Sequence, residues 1–148
     1  MQVIGFNFKK ISAERHKAPE GKININMNIT FDKLEKEEEK TLSQDVMRAD
    51  FDFSVKYENI ADFVFLGAVY FTATPEKIKE MIKFWAKEKK LPEEIRVSLI
   101  NFVLGKCNIK AMQLEEEFNL PSHIPLPKVA NVPSDEKGKD ANKDAKYV

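Results

Sequence analysis

Asp50 and Asp52 stand two residues apart in the segment Met47–Glu58. At that spacing two carboxylates project from one face of a β-strand and could divide general acid and general base work. Their neighbours on that face would be Arg48, Ser54 and Lys56. That is the composition of a solvated surface, whereas a working carboxylate pair needs burial to separate its pKa values. His16 and His123 lie far apart in sequence with no cysteine at ligand spacing, a pattern that predicts no metal site. Cys107 falls within an apolar helical stretch and reads as a small packed residue, not a nucleophile. Gly5, Gly21, Gly67, Gly105 and Gly138 are scattered, forming neither a phosphate-cradling loop nor a dinucleotide fingerprint. No serine occupies a hydrolase-type elbow. The expectation is a protein with no catalytic residues, no cofactor and no metal, and hence not an enzyme.

One set of charged residues could act collectively. Lys79, Lys83, Lys87 and Lys90 recur at four- and three-residue steps along one side of an expected helix. Such a ribbon could follow a phosphate backbone, which makes RNA an alternative partner. Glu76, Glu80 and Glu88 lie beside the lysines, so an ordinary solvated helix face is the plainer reading. Trp85 falls among the apolar positions of the same helix and reads as core. Asn24, Asn26 and Asn28 form an uncharged ladder, read as an exposed strand face.

The elements that would position these residues are legible in the apolar pattern. From Lys22 to Asp32, Ile23, Ile25, Met27, Ile29 and Phe31 alternate with polar residues. From Met47 to Glu58, Ala49, Phe51, Phe53, Val55 and Tyr57 do the same. Alternation with a period of two predicts strands that are apolar on one face. A first strand is expected over Gln2–Ile11, with Ile4, Phe6 and Phe8 on a common face, followed by a polar stretch to Gly21. The charged run LEKEEEKTLSQD after Phe31 reads as a long solvated hairpin loop. A fourth strand, Asp62–Thr72, differs from the others. Phe63, Phe65, Val69 and Phe71 occupy one side, and Val64, Leu66, Ala68 and Tyr70 the other. A strand apolar on both faces is usually covered on both sides, so a second layer is expected from another subunit or a partner.

At Thr74-Pro75-Glu76 the period becomes helical, with an N-cap residue, a proline suited to the first turn and an acid at the positive end of the dipole. Ile78, Met81, Ile82 and Trp85 form the stripe of a helix ending near Lys90. A second helix begins near Leu91-Pro92-Glu93, carries Ile95, Leu99, Phe102, Val103 and Leu114, and ends before Pro121. Gly105 and Asn108 predict a kink in its middle. Pro121, Pro125 and Pro127, set among Leu120, Ile124, Leu126 and Val129, predict an extended strap lying over the sheet or helices. From Pro133 onward the chain has almost no apolar content and reads as a disordered tail.

The expected architecture is thus α+β, a four-stranded antiparallel sheet followed by two helices and an extended proline-containing strap. It would form a single domain over residues 1–132 with a tail over residues 133–148. The 148 residues suffice for one sizeable core. The 24 basic and 24 acidic residues cancel, so bulk charge predicts neither a nucleic-acid nor a membrane partner. A lone cysteine excludes an internal disulfide and fits a reducing compartment. No apolar run has the length of a signal peptide or a membrane span, and a cytoplasmic location is expected.

Four strands, two helices and a proline-punctuated strap form an order that resembles the SecB-like chaperone superfamily. The local likenesses are RADFDFSVKY in the third strand and LPSHIPLP after the last helix. Where that family carries an aromatic-proline-tyrosine-arginine signature, this chain has LPEEIRVSL, preceded by a lysine-rich helix. The resemblance implies homo-oligomers with exposed apolar grooves that hold unfolded or apolar polypeptide. On the chain's own residues, Val64, Leu66 and Tyr70 are the candidates for a polypeptide-binding or oligomer surface. A ribosome- or RNA-associated factor acting through Lys79–Lys90, or a structural subunit of a hetero-complex, are the alternatives.

Overall fold

The computed structural model describes residues 1–41 and 44–127. Its elements are β1 (Gln2–Arg15), β2 (Ile25–Thr41), β3 (Gln44–Tyr57), β4 (Ala61–Ala73), α1 (Pro75–Glu88) and α2 (Glu93–Glu117). The strands form one four-stranded antiparallel sheet in the order β1-β4-β3-β2, followed by the two helices, an α+β fold. The expected tail, residues 133–148, and the last residues of the expected domain, 128–132, lie outside the described residues.

Because strand side chains alternate, the register places the large apolar residues of β3 and β4 side by side on one face. Met47 pairs with Phe71, Ala49 with Val69, Phe53 with Phe65 and Val55 with Phe63. All eight are buried, and both helices cover this face through Ile78, Met81, Leu99, Val103, Cys107 and Ala111. Full burial of a large apolar side chain is worth roughly 1.5–3 kcal/mol before ordering entropy is subtracted, so this layer dominates the folding energy. The rings interlock: Phe53 stacks on Phe65 at 5.5 Å between centroids, and Phe6 on Phe51 at 5.3 Å.

The helix boundaries follow the expected signals. Thr74 caps α1 by accepting from the Lys77 backbone N–H, and Pro75 opens the first turn. The second helix runs without a break in its helical backbone through Gly105 and Asn108, where a kink was expected. It closes with Asn119 in the left-handed conformation, φ 54°. The Leu120 N–H then bonds the Glu115 carbonyl and the Asn119 N–H the Glu116 carbonyl, the paired return bonds of a Schellman turn.

Two expectations are corrected at the sheet edges. The charged run after Phe31 is strand, not loop: β2 continues through it to Thr41. Backbone pairing to β3 does not depend on side-chain polarity, and Leu34 still reaches the core. The charges fall on an edge strand and pair locally, Lys33 with Glu35 at 2.9 Å and Lys36 with Asp45 at 3.1 Å. A charged edge of this kind discourages further strand addition. The first strand also extends to Arg15, and its register shifts between Val3 and Gly5 and between Phe8 and Lys10. These bulges re-phase its side chains. Val3, Phe6, Phe8 and Ala13 pack on the core while Ile4, expected beside Phe6, is exposed.

Gly67 marks a close approach between strands. A Cβ there would stand 2.2 Å from the Asn7 backbone oxygen and 2.7 Å from Phe51 Cζ. Neither neighbour can withdraw without disturbing the sheet or the aromatic layer. Gly67→Ala is therefore expected to lower the unfolding free energy by about 1–3 kcal/mol, as overpacked sites do, in a denaturant melt. Gly105→Ala, at a helical site open to solvent, should be neutral or stabilising.

Candidate functional site

The face of the sheet away from the helices carries the residues singled out in β4. Val64, Leu66 and Tyr70 are half-buried there, with Ala68 fully buried between them. The row is one strand wide. Across it the register sets Ser54, Asp52, Asp50 and Arg48 of β3 on one side, and Ser12, Lys10 and Asn7 of β1 on the other.

The two aspartates of β3 have different environments. Burial works to raise the Asp50 carboxyl, but Arg48 at 2.9 Å and the nearby Lys9 outweigh it and hold the group below its usual range. Asp52 is pushed upward, first by partial burial and then by the neighbouring Asp32. Asp50 is thus engaged in ion pairing with two cations, and the pair expected to be surface charge sits on the sheet's outer face.

A second polar constellation lies on the opposite side of the sheet, inside the core. Every fourth residue of α2 faces the sheet: Leu99, Val103, Cys107, Ala111 and then Glu115. The row ends on a carboxylate 3% exposed. Tyr57, at the end of β3, donates its hydroxyl to Glu115 Oε2. The strap crosses at this point, and the His123 backbone N–H donates to the same oxygen at 2.8 Å. The His123 ring, 0% exposed, sets Nδ1 2.9 Å from Glu115 Oε2 and Nε2 2.7 Å from Asn108 Oδ1. Phe53 meets the ring edge-on at 6.4 Å. Burial, followed by the bond to Glu115, pushes the Tyr57 phenol well above its usual value. Two turns before Glu115, Cys107 is likewise buried, its thiol pushed up to about 12 by desolvation. This is an inert thiol, as its apolar setting predicted.

The strap anchored in this way forms one wall of an open groove of about 490 Å³. The opposite wall is the outward side of α2. Ile109, Met112, Leu120 and Leu126 supply the apolar lining, with Ser122 and Glu116 as polar points. Ile109 is 61% and Leu126 46% exposed. The volume falls within the roughly 300–1,000 Å³ typical of ligand-binding clefts.

The sequence-derived candidates and this groove are separate surfaces. Val64, Leu66 and Tyr70 share one row on the far face of the sheet. Lys79, Lys83 and Lys87 are exposed on α1, with Lys90 just beyond its end. Trp85 is half-buried against the core. Among the described residues no three of His, Cys, Asp and Glu converge as metal ligands would, and no helix is long and apolar enough to cross a membrane. Neither Glu115 nor the groove was singled out from sequence. The four-residue spacing Leu99-Val103-Cys107-Ala111-Glu115 is the signal that could have revealed the carboxylate.

No family model matches the chain, and no curated protein sequence matches it significantly. Among solved structures, the chain is similar to a SecB-like chaperone of Mycobacterium tuberculosis, in complex with a ChAD peptide from the HigA1 antitoxin. The TM-score is 0.53 at 13% identity, over 90% of this chain and 89% of that one. The two share a fold. The sheet, the helices and their order are what the likeness covers.

The buried carboxylate sets a stability test. Tyr57→Phe removes one donor and should cost about 1–3 kcal/mol. Glu115→Ala leaves both the tyrosine hydroxyl and the histidine without their acceptor and should cost about 3–5 kcal/mol. Unfolding free energies within about 0.5 kcal/mol of wild type would show that this carboxylate does not hold the strap end of the fold.

Proposed function

We propose that the protein is a non-enzymatic polypeptide-binding module of SecB-like type, holding apolar or unfolded segments of other chains. The observation that carries this reading is the open groove between α2 and the strap, with Ile109 and Leu126 left largely exposed on its two walls. Large apolar side chains kept in water on a concave surface are costly unless something covers them part of the time. An extended segment offers alternating side chains to such a cleft and backbone groups to its polar points, Ser122 and Glu116. The solved SecB-like neighbour, itself in complex with a peptide, supports the same reading.

The outer row Val64, Leu66 and Tyr70 is the second apolar surface, and we assign it to self-association or to additional client contact. Its half-buried side chains lie among charged residues, and Leu66 lines a smaller cleft of about 350 Å³ beside Lys9, Asp32, Lys33 and Asp50. A cytoplasmic site of action fits this role. The lysines of α1 remain the alternative, an RNA-facing surface, but Glu76, Glu80 and Glu88 share that helix.

The test is the delay of aggregation of an unfolded client, together with the affinity for a fluorescent apolar peptide. Ile109→Asp and Leu126→Asp are each expected to weaken peptide binding about tenfold or more, a loss of ~1.4 kcal/mol. Leu66→Asp should leave peptide affinity near wild type if that row serves self-association, and should shift the sedimentation coefficient instead. A protein that neither delays aggregation nor binds the peptide would remove the proposal. Steeply salt-dependent RNA binding, lost in Lys83→Glu with Lys87→Glu, would replace it with the alternative.

A further inference from the structure

We infer that the outer face of the sheet is the interface of a symmetric dimer, in which the row Val64, Leu66 and Tyr70 packs on the same row of a second copy about a two-fold axis parallel to β4. The inference rests on the self-association assigned above to that row, and it does not depend on the groove.

The charges across the face carry it. Strand register sets Lys10 of β1, Leu66 of β4 and Asp52 of β3 in one rung, and directly opposed residues of neighbouring strands share a face. The rung therefore reads cation, apolar, anion from one side of the row to the other. Four residues away along β4, the rung Glu14, Asp62 and Lys56 runs in the opposite sense, with the anion on β1 and the cation on β3. Among the described residues neither Lys10 nor Asp52 has an ion-pair partner. Asp52 is half-buried, and that burial, with Asp32 nearby, pushes its carboxyl upward with no cation in opposition. The other charges close to the row are already engaged: Asp50 with Arg48 and Lys9, and Asp62 with His16 at 3.0 Å. What the face leaves unmatched is one cation on one flank of Leu66 and one anion on the other.

A two-fold axis along β4 lays β1 of each copy over β3 of the other. Such a rotation leaves position along the axis unchanged, so each rung meets its own rung. Lys10 then faces Asp52 of the second copy, and Glu14 faces its Lys56, with every contact made twice. Stacked sheets stand about 10 Å apart, a gap that a lysine and an aspartate side chain bridge together. The rotation of about 30° usual between aligned sheets shifts a strand next to the axis by less than the ~3.3 Å rise of one residue, so the central rung keeps its partners. An axis across the strands at Leu66 would instead stack Lys10 on Lys10 and Asp52 on Asp52. Burial of the apolar row supplies the attraction. The charges choose the orientation, because exposed ion pairs add little net energy while like charges in contact are costly. An unfolded client brings no fixed pattern to match both flanks of the row, which favours a second copy as its occupant.

The experiment is sedimentation of the full chain from micromolar to millimolar concentration, with charge reversals on the two flanks. The wild type should pass from monomer to dimer. Lys10→Glu and Asp52→Lys should each raise the dimer dissociation constant about tenfold or more, since each puts two like-charge contacts into the interface. Combined in one chain, they restore opposite charges at both contacts and should return the constant to within about threefold of wild type. Mixed in equal amounts, the two single variants should pair with each other more tightly than either does with itself. Added salt should weaken the wild-type dimer and strengthen self-association of each single variant. A wild type that stays monomeric at millimolar concentration would overturn the inference, as would a dimer that responds to only one of the two substitutions or to neither. Shifts at Leu66 when an apolar peptide meets the monomer would give the row to a client instead. Peptide binding in the groove is read separately. A charge-sensitive dimer that binds no peptide keeps this interface and removes the groove reading, and a monomer that binds peptide at Ile109 and Leu126 does the reverse.

Discussion

The fold depends on the facing rows of β3 and β4, where phenylalanine and valine side chains pair across the strands and α2 lies along them. The helix approaches closely because its sheet-facing row includes the small residues Cys107 and Ala111, both fully buried. That approach carries Glu115, at the end of the row, under the last turn and out of water. A carboxylate so placed must be satisfied within the protein. The donors it finds are Tyr57 from the sheet and His123 from the strap. A single buried group thereby joins three parts of the chain remote in sequence. The position of the strap, and with it the shape of the groove, follows from that requirement.

Much of the scaffold was legible because alternation and helical spacing are local signals. The third and fourth strands, the cap at Thr74 and the first-turn proline were all visible in short windows of sequence. What was not legible depends on partners distant along the chain. The strand character of the charged run after Phe31 comes from its pairing with β3, an interaction of backbone groups to which lysine and glutamate side chains contribute no pattern. Register shifts in β1 moved Ile4 out of phase with Phe6 and Phe8, and a bulge leaves no mark in an apolar count. Glu115 was hidden for a different reason. A glutamate near a helix end, followed by Glu116 and Glu117, reads as solvated until the four-residue row is traced back to Leu99.

The functional surface moved for related reasons. A strand apolar on both faces suggested that Val64, Leu66 and Tyr70 await a covering layer. In the folded chain that row is narrow, and Asp50, held by Arg48 and Lys9, stands beside it. The groove on the helical side is larger than the cleft at Leu66, and one of its walls, Leu120, Ser122 and Leu126, comes from the proline-punctuated segment. The likeness to the Mycobacterium tuberculosis chaperone extends over most of both chains, at an identity too low to carry side-chain roles across. The likeness shows the fold alone, and the polypeptide-binding proposal rests on the groove and its exposed side chains.

The most direct measurement of that reading is a residue-level map of where an extended apolar peptide contacts the isotopically labelled protein. Amide and methyl shifts on adding the peptide should concentrate at Ile109, Met112, Leu120 and Leu126, with little change at Val64, Leu66 and Tyr70. Shifts confined to the outer face of the sheet or to the lysines of α1, or none at saturating peptide, would contradict it.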